Sequence, residues 1–356
     1  MLRSLKIENF RCFQTFELQK LGKLNLLVGT NNSGKTSILE AVQLLTSQSN
    51  LESLQKVMIG RGEYIFSDER GGGRELDVRH LFYGHEIDVG SKFSIFGENH
   101  DNREGITVSV EHTGQLSTFK DLREFALVIE WSRYAGENIK LPLSSGEGLP
   151  VAYIKRVRKD FSLSGLRTQF VTSSSLTPKG MVNLFNNAVL NAEEDFVIKA
   201  LQTIEPKIER IAPGTIKPNE PSSRCGFDVR LSKNSDKDIP IGNLGDGIWR
   251  MLGLSLVIVN ARSGVLLVDE IDTGLHFSAM SDMWKLIWET AKRLNVQVFA
   301  TTHNSDCWTS LAAIASNESP SEEGITIQRI EKGKQHSIVF TERQVVIAAE
   351  RGIEVR

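Results

Sequence analysis

The eight residues Gly29-Thr-Asn-Asn-Ser-Gly-Lys-Thr36 leave this chain few folds to choose from. Such a loop needs a strand that ends at it and a helix that starts from it. Its small residues turn successive backbone N–H groups inward, and the helix N-terminus adds partial positive charge. Both flanks are present: an apolar run over 24–28 and Ser37-Ile-Leu-Glu-Ala-Val-Gln-Leu-Leu45, which reads as a helix. The pattern predicts a phosphate cradle from Gly29, Asn31, Asn32, Ser33, Gly34 and Ser37, with Lys35 reaching the β- and γ-phosphates and the Thr36 hydroxyl on Mg²⁺. It implies an α/β fold that holds a nucleoside triphosphate.

Composition narrows the partners. Lys and Arg total 42 against 44 for Asp and Glu, so no global basic field favours nucleic acid. The densest basic stretch, Tyr153-Ile-Lys-Arg-Val-Arg-Lys159 with Arg167 beyond, reads as a solvated face, a grip on a DNA backbone being the alternative. Three scattered cysteines (Cys12, Cys225, Cys307) suit a reducing compartment and small buried side chains. The N-terminus lacks a signal-peptide core, and the apolar stretch 251–259 falls short of the roughly 20 residues that span a bilayer. A cytoplasmic protein without a membrane partner of its own is expected.

Along the chain, 2–10 alternates apolar and polar residues like a half-buried strand, with 16–18 as its hairpin partner. Residues 47–74, polar and rich in Gly and Ser, read as a linker or mobile loop. An antiparallel region is expected over about 75–132, with strands at Phe93-Ser-Ile-Phe96, Ile106-Thr-Val-Ser-Val110 and Phe125-Ala-Leu-Val-Ile129. Gln169-Phe-Val-Thr172 is a further strand, before Ser173-Ser-Ser175. Apolar residues then recur at helical spacing over 179–211, and a Pro- and Gly-punctuated connection over 214–223 leads to a strand near Phe227. The last third alternates helix and strand, which implies a parallel sheet.

That last third carries the remaining chemistry. Val265-Leu-Leu-Val-Asp269-Glu270 is an apolar strand ending in two carboxylates: Asp269 suits Mg²⁺ through its water shell, and Glu270 can orient or deprotonate an attacking water. Asn295-Val-Gln-Val-Phe-Ala-Thr-Thr-His303 ends a neighbouring strand in a histidine, at the edge where α/β sheets bind ligands, placed to contact a γ-phosphate. Between them, Ile271-Asp-Thr-Gly-Leu-His276 is a turn suited to facing a second subunit. Asn243-Leu-Gly-Asp-Gly247 precedes the expected helix 248–260, and exposed glycines there make an anion site.

These elements, in this order, resemble the ATP-binding-cassette head of the RecF, SMC and OLD (overcoming lysogenization defect) group over essentially the whole chain. Within it the likeness is to compact stand-alone AAA-type ATPases related to OLD, some of which act in phage defence; the ending Ala348-Ala-Glu-Arg-Gly-Ile-Glu-Val-Arg356 also looks like that subgroup. The resemblance makes Leu5-Lys-Ile-Glu-Asn-Phe-Arg-Cys-Phe13 the opening strand, with Arg11 near the nucleotide. Residues 29–36 match Walker A and 265–270 Walker B. Asn243, Gly245, Asp246 and Gly247 match the signature, 272–276 the D-loop and His303 the switch histidine. Two features depart: Asn243 stands where a Ser usually begins the signature, and the usual Gln after the strand before the helical lobe has no assigned position here.

The implied architecture is one ABC-type head with a mixed or parallel core sheet, an antiparallel β subdomain and a helical lobe. The nucleotide-binding lobe would comprise 1–172 and 224–356, and the helical lobe 173–223. The implied activity is ATP hydrolysis with Mg²⁺, catalysed by Lys35, Glu270 and His303, in a head-to-tail homodimer that closes on ATP and signals to a separate effector. A DNA-binding repair ATPase of RecF type and the ATPase subunit of a separate nuclease are the alternatives. Only 53 residues follow His303, with Asp306 their only Asp, so no Toprim nuclease fits behind it. No long heptad arms separate the Walker motifs, and no Asn-Lys-x-Asp guanine signature occurs.

Overall fold

A computed structural model describes residues 1–47, 51–66, 74–99, 102–112, 122–132, 138–144, 148–151, 153–154, 167–172, 176–214, 226–232, 238–317, 321 and 323–356. The chain gathers into two compact units, one of Met1–Leu21, Asn32–Leu166 and Ile330–Ile338, the other of Gly22–Asn31, Arg167–Arg329 and Val339–Arg356.

The first unit is built on an antiparallel sheet of six strands, in the order Phe13–Leu18, Ser4–Phe10, Lys92–Glu98, Arg103–His112, Leu122–Trp131, Asn138–Ser144. Period-2 alternation drives it: Leu5 and Ile7 are fully buried while Lys6 and Glu8 pair at the surface 2.7 Å apart. Helix Lys35–Ser47 packs on Lys92–Glu98 and Arg103–His112. Close approach is possible because Gly97 lies beneath it; a Cβ there would sit 2.6 Å from Leu45 Cδ2. Every residue of that helix except Thr36 is buried, so its two polar mid-helix side chains, Glu40 and Gln43, sit in the interior.

The linker expected over 47–74 is corrected. Leu51 precedes a helix over Glu52–Gly60 in which Leu54, Val57 and Met58 are buried. The strand Tyr64–Phe66 then joins a small sheet with Arg74–Asp77 and Gly148–Pro150. The helical i, i+3, i+4 spacing of these apolar residues is diluted by polar neighbours, and burial of one face suffices for the helix.

The second unit holds the predicted parallel sheet, ordered Thr168–Val171, Val265–Val268, Gln297–Thr301, Leu24–Val28, Ile325–Arg329, with Ile338–Thr341 at its far side. Leu24–Val28, Val265–Val268 and Gln297–Thr301 are buried at every position, the continuous apolar pattern of strands covered on both faces. Register is pinned at the N-terminal edge by buried amides. Asn25 Nδ2 donates to the Val298 carbonyl at 3.1 Å, and Thr326 Oγ1 donates to Asn25 Oδ1 at 2.9 Å. Helix Asp246–Asn260 packs against Pro178–Leu190, Glu194–Gln202 and Phe277–Leu294 through Met251, Leu252, Leu254 and Ile258.

The helical spacing over 179–211 is realised as far as Gln202. Residues 208–211 are corrected to strand: Ile208–Pro213 pairs antiparallel with Phe227–Leu231, which pairs with Ile239–Pro240. A register shift between Ile208 and Arg210 turns both Ile208 and Ile211 inward, so a bulged strand mimics the i, i+3 period of a helix. Most of the basic stretch (155–159), Ser173-Ser-Ser175, most of the 214–223 connection and Cys225 lie outside the described residues. Among the described residues no helix is long and apolar enough to cross a membrane.

Candidate functional site

The phosphate loop leaves the sheet where the sequence requires. Gly29, Thr30 and Asn31 extend strand Leu24–Val28 in the second unit, and Asn32 to Ser37 continue in the first. Asn32 adopts a left-handed φ of 60°, which Asn tolerates better than most residues. Gly34 has φ 97°, and a Cβ on it would lie 2.3 Å from Phe13 Cζ and 2.9 Å from Cys12 Sγ; conformation and space both demand glycine. The Gly34 carbonyl accepts the Ile38 N–H at 3.0 Å, so the helix starts at once. Lys35 is only 5% exposed, its Nζ 3.5 Å from the hydroxyl of the buried Ser33. The ammonium is therefore held beside the loop before any phosphate arrives.

Beneath that helix lies a four-membered ion cluster. Arg11 is 4% exposed and donates to both Glu63 oxygens, at 2.6 and 3.0 Å, while its Nε lies 2.6 Å from Glu40 Oε2. Arg61 donates to Glu40 Oε1 at 2.5 Å and to the Ser37 hydroxyl at 3.4 Å. Burial pushes the Glu40 carboxyl above its ordinary range, against the pull of Arg11 and Arg61. Arg11 is thus committed to carboxylates, and the guanidinium resting on the phosphate loop through Ser37 is that of Arg61.

In the second unit, register aligns the acidic strand with its neighbours. Val268 pairs with Ala300 and Thr301 with Leu27, so Asp269, Thr301 and the loop's exit share the C-terminal edge of the sheet. Thr301 is fully buried and works in two directions: its hydroxyl donates to Asp269 Oδ1 at 2.6 Å and accepts the Glu270 N–H at 2.8 Å. One side chain therefore orients both acids. Glu270 itself sits at φ 49°, a left-handed conformation that costs a non-glycine residue about 1–2 kcal/mol. Its carbonyl accepts from Arg250 Nη2 at 3.0 Å, and the Ile271 N–H donates to the Thr301 carbonyl at 3.0 Å.

The next residue repeats the device. The fully buried Thr302 donates to Asp272 Oδ1 at 2.7 Å and accepts the Asn304 N–H at 3.0 Å. The Asp269-Glu270 pair and the 272–276 turn are thereby tied to the strand that delivers His303. Behind them, burial and the nearby Asp272 push the Cys307 thiol up to about 12. His303 is half-buried, and its carbonyl accepts from Arg356 Nη1 at 2.6 Å.

Asn243 to Gly247 form a 3-10 turn, Ile241–Leu244, and the start of helix Asp246–Asn260, joined by Gly245 at φ 93°. Asn243 and Asp246 are exposed, and nothing lies within 4 Å of a Cβ built on Gly245 or Gly247, so the turn offers open backbone at a helix N-terminus. Arg250, one turn on and buried, links this helix to the Glu270 carbonyl. Desolvation lowers its pKa, opposed by Asp272 and Glu270.

Asp269, Glu270 and His303 thus share one sheet edge, and Lys35, Thr36, Ser37 and Arg11 one helix start. Thr301, Thr302, Arg250 and the Glu40–Arg61 pair escaped the sequence reading. A lone Arg inside the apolar 248–259 run and a Glu inside a buried helix were the available signals. The two residues expected at Mg²⁺ each carry a hard oxygen, the Thr36 hydroxyl in the first unit and the Asp269 carboxylate in the second. Among the described residues no cluster of three His, Cys, Asp or Glu could hold a metal by itself.

The chain resembles known proteins over most of its length. Residues 24–306 match the family described as "AAA domain, putative AbiEii toxin, Type IV TA system". An ATP/GTP phosphatase of Helicobacter pylori is 22% identical over 86% of this chain and 86% of its own length. An OLD nuclease of Thermus scotoductus is 23% identical over 85% of this chain but only 59% of its own. The SMC head domain from Thermotoga maritima superposes with a TM-score of 0.50 at 13% identity, over 96% of this chain and 98% of that one, a likeness of fold alone. The chain belongs to that AAA family and is a P-loop ATPase of the OLD, RecF and SMC-like group, with an ABC-type head fold.

Proposed function

We propose that the chain is one ABC-type ATPase head, with 173–223 as its helical lobe, that closes on ATP as a head-to-tail homodimer and switches a separate effector. The observation that supports this reading is the open helix N-terminus at Asn243, Gly245, Asp246 and Gly247, whose backbone N–H groups suit an anion. Gly29 to Ser37 of one copy would hold the phosphates, and the 243–247 turn of the other would close over the γ-phosphate. Asn243 replaces a hydroxyl there with an amide that donates equally well.

Within the site, Lys35 binds the β- and γ-phosphates, and His303 reports the γ-phosphate from the sheet edge. Glu270, oriented through Thr301, accepts the proton of the attacking water. Thr36 and Asp269 would hold Mg²⁺, which would supply charge neutralisation to the phosphates. A γ-phosphate gives two copies charged contacts that ADP cannot, so turnover opens the pair. An effector in antiviral defence, or a nuclease on another chain, suits the OLD nuclease relative whose remaining length this chain does not match.

Complementation tests the shared site. Lys35→Ala disables its own phosphate loop and Gly247→Asp disables the turn offered to a partner; each alone is expected to be inactive. Mixed, they form pairs with one intact composite site, so phosphate release should return. No recovery on mixing would rule out a site built from two copies.

A further inference from the structure

We infer that Arg356 is a positioning residue for His303, held in place by a latch built from residues 352–356; this rests on the role proposed for His303. The latch is anchored at each step. Gly352 turns at φ 63° after helix Glu342–Glu350, and the Ile353 N–H returns to the Ala348 carbonyl at 2.8 Å. Val355 is fully buried in the core. Glu354 accepts from Trp308 Nε1 at 3.2 Å and from Arg356 Nε at 3.1 Å, and its second oxygen accepts from Arg356 Nη2 at 3.3 Å. The guanidinium is thereby oriented before it meets its target, and Nη1 donates to the His303 carbonyl at 2.6 Å.

That bond falls between two residues that are held through their own side chains. Thr302 is locked by Asp272, and Asn304 caps helix Ser305–Ala315 by accepting from the Asp306 N–H at 2.9 Å. The His303 imidazole, in contrast, makes no hydrogen bond or ion pair to the described residues. Its direction is set by its own backbone, and Arg356 holds that backbone with a charge-assisted bond. A fork with several donors suits such a double attachment, since one nitrogen reaches the carbonyl while two stay on Glu354.

The test is a double-mutant cycle with a spectroscopic control. Arg356→Ala should lower kcat for ATP about tenfold, since misplacing a reacting group is costly, while ADP affinity stays within about twofold. In a His303→Ala background, Arg356→Ala should lower turnover no further. In nitrogen-15 histidine spectra of the full chain without nucleotide, Arg356→Ala should shift one of the seven histidine signals, that of His303, and Arg356→Lys should move it part of the way back. Additive losses in the double mutant, or an unmoved His303 signal, would overturn the latch. Wild-type turnover by His303→Ala would instead overturn the catalytic reading of His303, and the spectrum would still decide the latch.

Discussion

Thr301→Val separates packing from orientation at the acidic edge. Thr301 is fully buried, so by volume and hydrophobicity Val should serve there at least as well, replacing a hydroxyl with a methyl group worth about 1 kcal/mol of burial. The hydrogen bonds argue the opposite. Losing the 2.6 Å bond to the Asp269 carboxylate costs about 1.5–3 kcal/mol, and stranding the Glu270 N–H costs about 1–3 kcal/mol more. After the methyl's offset, Val should destabilise by about 1.5–5 kcal/mol. Ser keeps both bonds and gives up one methyl, about 1 kcal/mol. Urea unfolding followed by tryptophan fluorescence reads the difference, because Trp249, Trp284, Trp288 and Trp308 all lie in the second unit. The expected order of stability is Thr, then Ser, then Val, with turnover falling most in Val as both acids lose their guide. If Thr301→Val is as stable as the parent, or outlasts Thr301→Ser, the hydroxyl does not organise this edge.

Two further expectations concern titration. Burial raises the Glu40 carboxyl's pKa, so the folded chain keeps that proton to a higher pH than the unfolded chain does. Its contribution to stability is full below the ordinary carboxylate range and is lost as pH rises through the raised value. Urea midpoints of the parent, measured against Glu40→Gln, should therefore fall as pH rises from about 4 toward neutrality, and a gap that widens in the parent's favour would contradict the assignment. The Cys307 thiol, pushed up to about 12 by burial, should resist iodoacetamide at about pH 8 in the folded chain and label fully in urea, read by peptide mass spectrometry.

How much of this was legible beforehand follows from where each signal is stored. The phosphate loop, the acidic strand and the histidine strand were readable because each is contiguous: apolar runs buried on both faces stop at the candidate site residues. The antiparallel region was readable from short strand-like runs set between turn residues. Misreadings arose where a local pattern had two physical origins. Ile208 and Ile211 carry a helical interval that a β-bulge reproduces, and the buried Leu51, Leu54, Val57 and Met58 were hidden among Gly and Ser. The orienting partners were illegible for a different reason. Thr301 with Asp269, Arg11 with Glu63 and Arg356 with His303 are 32, 52 and 53 residues apart, and no single-sequence pattern links them. Arg11 is the clearest case: its guanidinium pairs with Glu40 and Glu63, partners that no local pattern around Arg11 announces.

The central claim, a switch that closes on ATP, turns on whether hydrolysis is what separates two copies. Glu270→Gln retains the side chain's shape and removes the base, so ATP should persist at the site. Light scattering on the Glu270→Gln chain with Mg²⁺ should give twice the chain mass of 39.7 kDa with ATP and the single chain mass with ADP. A mass that stays at 39.7 kDa with saturating ATP would contradict the account.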